Sequence, residues 1–114
     1  MLTNEIGFNS EYSEDAPTLD QIHLLKGDAI LEFGASWCGY CQAASGVIKE
    51  AFSMPSFACL THTKIADGKG KRLGRSFKVK LWPTLILLRD GQEIARVVRP
   101  THANDFNEFS CINT

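Results

Sequence analysis

The hydrophobic and polar positions of this chain predict an alternation of helices and strands that follows a polar start. Residues 1–16 have little pattern, so we interpret them as a tail or a short edge strand. A helix is expected from Thr18 to Gly27, since Thr18 and Gln21 have the spacing of a capping box and glycine is a typical helix end. The apolar run at residues 29–33 predicts a short buried strand, which therefore follows directly on a helix.

The rest of the pattern predicts one long helix, three strands and two shorter helices. Apolar residues at helical spacing after residue 41 predict a helix of about three turns that ends before Pro55. Asp90-Gly91 is the strongest hairpin signal in the chain. The other expected elements are a strand at 57–66, a basic helix at 72–77, hairpin strands at 84–88 and 93–98, and a final helix at 101–110. A β-α-β unit followed by a hairpin requires a mixed sheet covered on both faces, so we expect one α/β domain over residues 17–114.

Composition and charge narrow the class of protein. A chain of 114 residues is long enough for one domain with its own core. Hydrophobic residues make up 44% of the chain, and the net charge is −1. Because nucleic acids and membrane surfaces attract concentrated positive charge, we expect neither as a partner. The longest apolar run, at residues 85–88, is too short to cross a membrane.

The start of the chain and its four cysteines indicate a compartment. The first twenty residues carry several carboxylates, no lysine or arginine and no apolar core, so we expect no signal peptide, although a chain processed from a longer precursor would look the same. Four unevenly spread cysteines are too few for a disulfide-stapled secreted scaffold. We therefore expect a cytoplasmic protein, and we also expect a monomer.

The segment Cys38-Gly39-Tyr40-Cys41 places two thiols at the predicted start of the long helix. Unpaired N–H groups and the positive end of the helix dipole stabilise a thiolate there, so Cys38 is expected to be the exposed nucleophile. Cys41 lies one turn further and is expected to be more buried, where it resolves the mixed disulfide that Cys38 forms. Trp37 is expected to shield the nucleophile and to offer a contact surface, and Tyr40 is expected to be exposed.

Two motifs at this separation resemble the thioredoxin family. They are Phe33-x-Ala35-x-Trp37-Cys38-Gly39-x-Cys41, and Trp82-Pro83-Thr84 before an apolar strand and Asp90-Gly91. The resemblance covers about residues 18–109 and implies a thioredoxin fold with a cis-proline loop. It also implies a thiol–disulfide oxidoreductase that reduces protein disulfides and needs no cofactor besides its own cysteines. The implied partners are disulfide-bearing substrate proteins and an upstream reductase.

The resemblance also implies roles for single residues. Pro83 matches the cis proline that packs against the disulfide, and Trp82 matches the preceding residue, whose backbone pairs with the substrate. Glu32 matches the family's buried carboxylate, which would relay the proton that leaves Cys41. Lys64 matches a supporting lysine on the neighbouring strand. Because a buried carboxylate without compensation is costly, Glu32→Ala is expected to stabilise the fold while it slows exchange.

Several positions depart from the usual pattern of thioredoxins. The dipeptide between the cysteines is Gly-Tyr instead of Gly-Pro and resembles that of periplasmic disulfide isomerases. Arg99 stands where the family has a small residue, so the substrate groove is expected to be narrower and more cationic. The expected substrate-contacting residues are Trp37, Gly39, Tyr40, Trp82 and Arg99. A disulfide oxidant or isomerase is therefore an alternative function, and a weakly catalytic binding module is another.

The remaining cysteines and histidines have plainer interpretations. Cys59-x-x-His62 completes, with the cysteine pair, a zinc-like spacing. Both residues fall on a predicted strand, where an odd separation turns side chains to opposite faces, so no metal is expected. Cys59 and Cys111 are interpreted as free, inert thiols. The histidines, including His23 and His102, are interpreted as ordinary residues.

Overall fold

A four-stranded mixed sheet organises the chain, and the computed structural model describes residues 2, 3 and 5–111. The elements are α1 (Leu19–His23), β1 (Asp28–Gly34), α2 (Gly39–Phe52), β2 (Thr61–Ala66), α3 (Leu73–Ser76), β3 (Thr84–Arg89) and β4 (Gln92–Val98), with 3₁₀ turns at Pro55–Phe57 and Ala103–Phe106. The strand order is β2-β1-β3-β4. β1 is parallel to β2 and antiparallel to β3, which confirms the mixed sheet of the predicted fold class.

Both faces of the sheet carry a packed apolar layer. One layer contains Ile48 of α2 and the alternate strand residues Ile30, Leu85 and Leu87. The opposite layer joins α1 and α3 to the other strand positions and consists of Ile22, Leu31, Phe33, Ile65, Leu73, Ile86 and Leu88. β1 is therefore buried on both faces, which explains why its residues are apolar apart from Glu32 in the segment 29–33. None of the helices within the described residues has the length and apolar content needed to cross a membrane.

The junctions of α1 and of the hairpin follow the local signals. The capping box is present, with the Thr18 backbone N–H donating to Gln21 Oε1 at 2.9 Å and the Gln21 N–H donating to Thr18 Oγ1 at 3.1 Å. The hairpin turns at Asp90 with φ +49° and the following glycine with φ +79°. The predicted length of α1 is wrong, since the helix ends at His23 and Leu24 is 77% exposed. Within α1 only Ile22 is buried.

Two predicted elements are shorter than expected because the chain turns inward at aromatic residues. β2 begins at Thr61 instead of residue 57, since Phe57 lies in a 3₁₀ turn with its ring in the core. The final helix is reduced to the 3₁₀ turn Ala103–Phe106. Phe106 and Phe109 both point into the same layer and contact the Phe57 ring, at centroid distances of 5.7 and 6.1 Å. The packing of these three rings, rather than helical hydrogen bonds, determines the conformation of the last described residues.

The assignment of Cys59 and Cys111 as free thiols is wrong. They form a disulfide between Cα atoms 6.0 Å apart and 52 residues apart in sequence. The aromatic layer brings the two segments together, and the Cys111 backbone N–H donates to the carbonyl of Ser56 at 3.1 Å. The disulfide therefore fastens the end of the described chain to the segment that precedes β2.

The N-terminal segment lies along β2 as an irregular edge. The backbone N–H of Ser13 donates to the carbonyl of Lys64, and that of Ala66 donates to the carbonyl of Ser13, both at 2.9 Å. Further back, the N–H of Gly7 donates to the carbonyl of Leu60 at 3.0 Å. The sequence of residues 1–16 predicts a tail or a short edge strand. The described residues of this segment resemble an edge strand, because they form isolated backbone bridges to β2. This placement carries Tyr12 to the end of β1.

Candidate active site

The cysteine pair lies where β1 ends and α2 begins. Cys38 is the N-cap residue of α2, with an extended backbone (φ −79°, ψ 123°), and its N–H donates to the carbonyl of Ala35 at 3.1 Å. Cys41 lies one turn inside the helix, and both thiols are free. The expectation of an exposed nucleophile is wrong, because Cys38 is only 8% exposed and Cys41 4%. The side chains of Tyr12 and Trp82 pack against the pair and cover it.

The two thiols differ in acidity. Burial alone would raise the pKa of Cys38, but hydrogen bonds from the backbone and thiol of Cys41 and from the backbone N–H of Tyr40, together with the charge of Arg99, lower it below that of a free cysteine. Burial raises the pKa of Cys41 and outweighs the hydrogen bonds from the Ala35 backbone and the Tyr12 hydroxyl, which lower it. Cys38 therefore ionises first, which agrees with its predicted role as nucleophile.

Two tryptophans flank the thiols. Trp37 is 74% exposed, and its ring meets the half-buried ring of Trp82 edge-on at a centroid distance of 5.5 Å. The indole Nε1 of Trp82 donates to Asp67 Oδ2 at 3.0 Å, which fixes its orientation. The peptide bond between Trp82 and Pro83 is cis, as the resemblance implied, and Pro83 is buried. The two rings form a partly exposed aromatic surface beside the cysteines.

Arg99 bridges two expected substrate-contacting residues. Its guanidinium Cζ lies 3.5 Å from the centroid of the Tyr40 ring, and Tyr40 itself is 59% exposed. Its Nε donates to the carbonyl oxygen of Trp82 at 2.8 Å. Arg99 has φ +51°, and its backbone N–H donates to the carbonyl of Pro83 at 2.9 Å. A Cβ built on Gly39 would meet nothing within 4 Å, so the surface above this glycine is open.

Glu32 is buried at 1% exposure, as expected, and its carboxylate has partners on both oxygens. Oε1 lies 2.8 Å from His62 Nε2, and Oε2 accepts a hydrogen bond from the hydroxyl of Tyr12. The Asn9 backbone N–H donates to His62 Nδ1 at 2.9 Å, so a neutral ring carries its proton on Nε2 and donates it to Glu32. The interpretation of His62 as an ordinary residue is therefore wrong. Removal of Glu32 would leave its partners unsatisfied instead of stabilising the fold.

Lys64 neighbours Glu32 across the β1–β2 ladder, but its ammonium group turns elsewhere. Its Nζ donates to the Ser10 carbonyl at 3.1 Å and lies 4.2 Å from the centroid of the Tyr12 ring. Lys64 is 5% exposed, so it is not a solvated surface lysine. The Lys64 side chain therefore contacts Glu32 only through Tyr12, and the direct side-chain partner of Glu32 on β2 is His62 instead of Lys64.

The zinc-like spacing does not form a cluster. Across residues 2, 3 and 5–111, no group of three or more His, Cys, Asp or Glu side chains is placed to hold a metal ion. Cys59 is bonded to Cys111, and His62 contacts Glu32. Cys59 also precedes β2, so the predicted alternation of faces along a strand does not apply to it.

Sequence reasoning missed Tyr12, His62 and Asp67 as parts of the site. The available signal was a large aromatic residue inside a polar N-terminal segment, which has little reason to be there unless it packs on something. The contacts of His62 and Asp67 depend on strand register and on the position of Trp82, and no local pattern indicates either.

A free dithiol at a helix N-terminus, which follows a central strand of a mixed sheet and contacts the tryptophan before a cis proline, defines a protein with a thioredoxin-like fold and site. A family model described as thioredoxin matches residues 13–110. The chain therefore belongs to the thioredoxin family.

Solved and curated relatives agree with this assignment. The structure of thioredoxin 2 from Pseudomonas aeruginosa PAO1 in its reduced form has a TM-score of 0.77 and 50% identity, covering 89% of this chain and 92% of that chain. Thioredoxin from Chlamydia pneumoniae is 33% identical over 76 residues, 66% of this chain and 72% of the relative. Thioredoxin from Mycobacterium tuberculosis is 35% identical over 69 residues, 60% of this chain and 59% of the relative. The matched segment spans 49% of thioredoxin H2-1 from Oryza sativa, at 32% identity over 69 residues, 60% of this chain.

Proposed function

We propose that this chain is a thiol–disulfide oxidoreductase that reduces disulfide bonds in other proteins. The observation that carries the proposal is the pair of free thiols of unequal acidity at the start of α2. The pKa of Cys38 is lowered by N–H groups and by Arg99, and that of Cys41 is raised by burial. Such a pair supplies one thiolate that attacks a disulfide and a second thiol that stays protonated until the mixed disulfide is resolved.

The reaction follows from these positions. The Cys38 thiolate attacks a disulfide of the substrate, forms a mixed disulfide and releases one substrate thiolate. Cys41 then loses its proton and attacks the Cys38 sulfur, which releases the second substrate thiol and leaves a Cys38–Cys41 disulfide. Two electrons pass from the cysteine pair to the substrate, and an upstream reductase returns them. A relative from Mycobacterium leprae is named bifunctional thioredoxin reductase/thioredoxin, which supports a reductase as this partner.

The substrate would bind across the exposed rim of the site. Trp37, Tyr40 and the open surface over Gly39 face outward beside the cysteines. Arg99 already donates to the Trp82 carbonyl, which the resemblance assigns to the substrate backbone. A substrate must therefore share or displace this hydrogen bond. We expect Arg99 to slow the binding of bulky substrates.

Insulin reduction tests the proposed function. We expect activity from the wild type, none from Cys38→Ser, and a trapped mixed disulfide from Cys41→Ser. The double variant Cys59→Ser/Cys111→Ser removes the distant cysteine pair and serves as the matched control, which should retain activity. A wild type that binds disulfide proteins without turnover would instead indicate a binding module.

One observation favours the alternative of a disulfide oxidant. The hydrogen bonds from Cys41 and Tyr40 and the charge of Arg99 stabilise the Cys38 thiolate, and a stabilised reduced form makes a couple more oxidising. The reduction potential against glutathione distinguishes the two directions of electron flow.

Location and oligomeric state stay predictions. The sequence predicts a cytoplasmic monomer, whereas a disulfide such as Cys59–Cys111 is more typical of an oxidising compartment. Cell fractionation with thiol trapping of these two cysteines decides the compartment, and size-exclusion chromatography decides the oligomeric state.

A further inference from the structure

The hydroxyl of Tyr12 lies between the resolving thiol and the buried carboxylate. It donates a hydrogen bond to Glu32 Oε2, and the Cys41 sulfur lies beside the same hydroxyl, since both are within 2.6 Å of one Cβ position built on Gly34. The Tyr12 hydroxyl and the Cys41 sulfur meet over Gly34 at the end of β1. A Cβ added to this glycine would collide with the Tyr12 hydroxyl and lie 2.6 Å from Cys41 Sγ. Glu32 therefore reaches the thiol through Tyr12.

Resting on the proposed function, we propose that Tyr12 is a proton-relay residue that connects Cys41 to Glu32 when the mixed disulfide is resolved. The Cys41 proton moves to the Tyr12 oxygen while the phenol proton moves to Glu32 Oε2. The outcome is a Cys41 thiolate, a neutral Tyr12 and a protonated Glu32. The thiolate then attacks the Cys38 sulfur, and the substrate leaves as a thiolate that takes a proton from solvent.

The acidities of Cys41 and Tyr12 fit this sequence of transfers. Burial raises the pKa of Cys41, so near neutral pH its thiol keeps its proton and needs an acceptor. Burial and the neighbouring Glu32 carboxylate raise the pKa of Tyr12, so the phenol stays neutral and passes a proton without ionising. Glu32 holds its other oxygen towards His62, which leaves Oε2 as the oxygen that faces the relay.

The surroundings of Tyr12 hold its hydroxyl in place and connect it to solvent. Lys64 lies over one face of the ring at 4.2 Å from the centroid, which fixes the ring through a cation–π contact. Both the N–H and the carbonyl of Ser13 are hydrogen-bonded to the backbone of β2, which anchors the segment. A surface cleft of about 360 Å³ is lined by Tyr12, Cys41 and Lys64 among others. The proton held by Glu32 after each turnover leaves through Tyr12 into this cleft.

Stopped-flow reduction of dithiodipyridine separates the two chemical steps, because each step releases one thiopyridone. Attack by Cys38 gives the first phase, and resolution by Cys41 gives the second. We expect Tyr12→Phe, which keeps the ring, to leave the first phase unchanged and to slow the second about 100-fold at pH 7, the lower end for positioned proton transfer. The deficit should shrink as the pH rises towards the raised pKa of Cys41, since that thiol then ionises without help.

The pH profile distinguishes an effect on the Cys41 proton from a packing effect, because the other charged and titratable groups around Tyr12 are the same in both proteins. They are Glu32, Cys41, Cys38, His62 and Lys64. Equal slowing of both phases, or a second-phase deficit that does not change with pH, would identify Tyr12 as a packing residue and overturn the relay. An unaffected second phase would overturn it too.

A second variant keeps the test independent of how well Tyr12→Phe folds. Glu32→Gln should slow the second phase as much as Tyr12→Phe does, and the double variant should be no slower than the slower single variant, because the two groups act in series. Multiplicative losses in the double variant would contradict a relay. Wild-type protein that lacks the first phase would overturn the proposed function itself, whereas two normal wild-type phases with fast variants would overturn the relay alone.

Discussion

Removal of the Cys59–Cys111 disulfide is expected to lower the free energy of unfolding by about 4 kcal/mol at 25 °C. The cross-link joins residues 52 positions apart, and the chain-entropy relation gives about 4 kcal/mol for a loop of this length. The closed loop contains β2, α3, β3 and β4. An intact disulfide therefore restrains, in the unfolded chain, the residues that form three of the four strands. The double variant Cys59→Ser/Cys111→Ser removes the cross-link.

The folded state should survive this change, because other contacts hold the same segment. Phe106 and Phe109 remain buried in the aromatic layer, and Arg89 Nη2 donates to the carbonyl of Ser110 at 3.3 Å. The loss therefore acts mainly on the unfolded chain, which becomes more expanded without the cross-link. A steeper dependence of the free energy of unfolding on urea should accompany the lower stability, since more surface is exposed on unfolding.

Urea unfolding followed by the fluorescence of Trp37 and Trp82 measures both quantities. Serine at positions 38 and 41 in both proteins prevents disulfide exchange during the experiment. The cross-linked protein with added reductant is the control, and it should reproduce the values of the double variant. A loss below about 1 kcal/mol with an unchanged urea dependence would refute the loop-closure argument.

Three further outcomes follow from the site. Iodoacetamide should label Cys38 before Cys41 at pH 7, because a lowered pKa makes Cys38 a thiolate first; equal labelling by mass mapping would contradict the assignment. Arg99→Gly should raise the rate of insulin reduction several-fold relative to the rate with dithiodipyridine, because it frees the Trp82 carbonyl, whereas the loss of the Arg99 charge raises the pKa of Cys38 in both reactions; an unchanged ratio of the two rates would show that the contact does not limit access. Equilibration with glutathione should give a potential above about −270 mV, that of thioredoxin, because the Tyr40 N–H and Arg99 stabilise the Cys38 thiolate; a lower value would favour a plain reductase.

The sequence by itself determined those features that depend on residues close together in the chain. The capping box of Thr18, the turn at Asp90, the buried β1 and the long helix after the cysteines all follow from signals within a few residues. The lowered pKa of Cys38 also follows largely from local groups, since this residue caps α2, whereas the raised pKa of Cys41 depends on burial. Family resemblance added the cis bond before Pro83, which no local pattern would have indicated.

Tertiary structure alone decided the contacts between distant residues. Tyr12 reaches Glu32 across 20 positions, the Asn9 backbone reaches His62 across 53, and the cysteines of the disulfide meet across 52. Each contact requires the N-terminal segment or the end of the described chain to pack on the finished sheet, and hydrophobic spacing does not encode where a polar segment lies. The reaction class was therefore readable from a short motif, whereas the partner of its buried carboxylate depended on how distant segments pack around it.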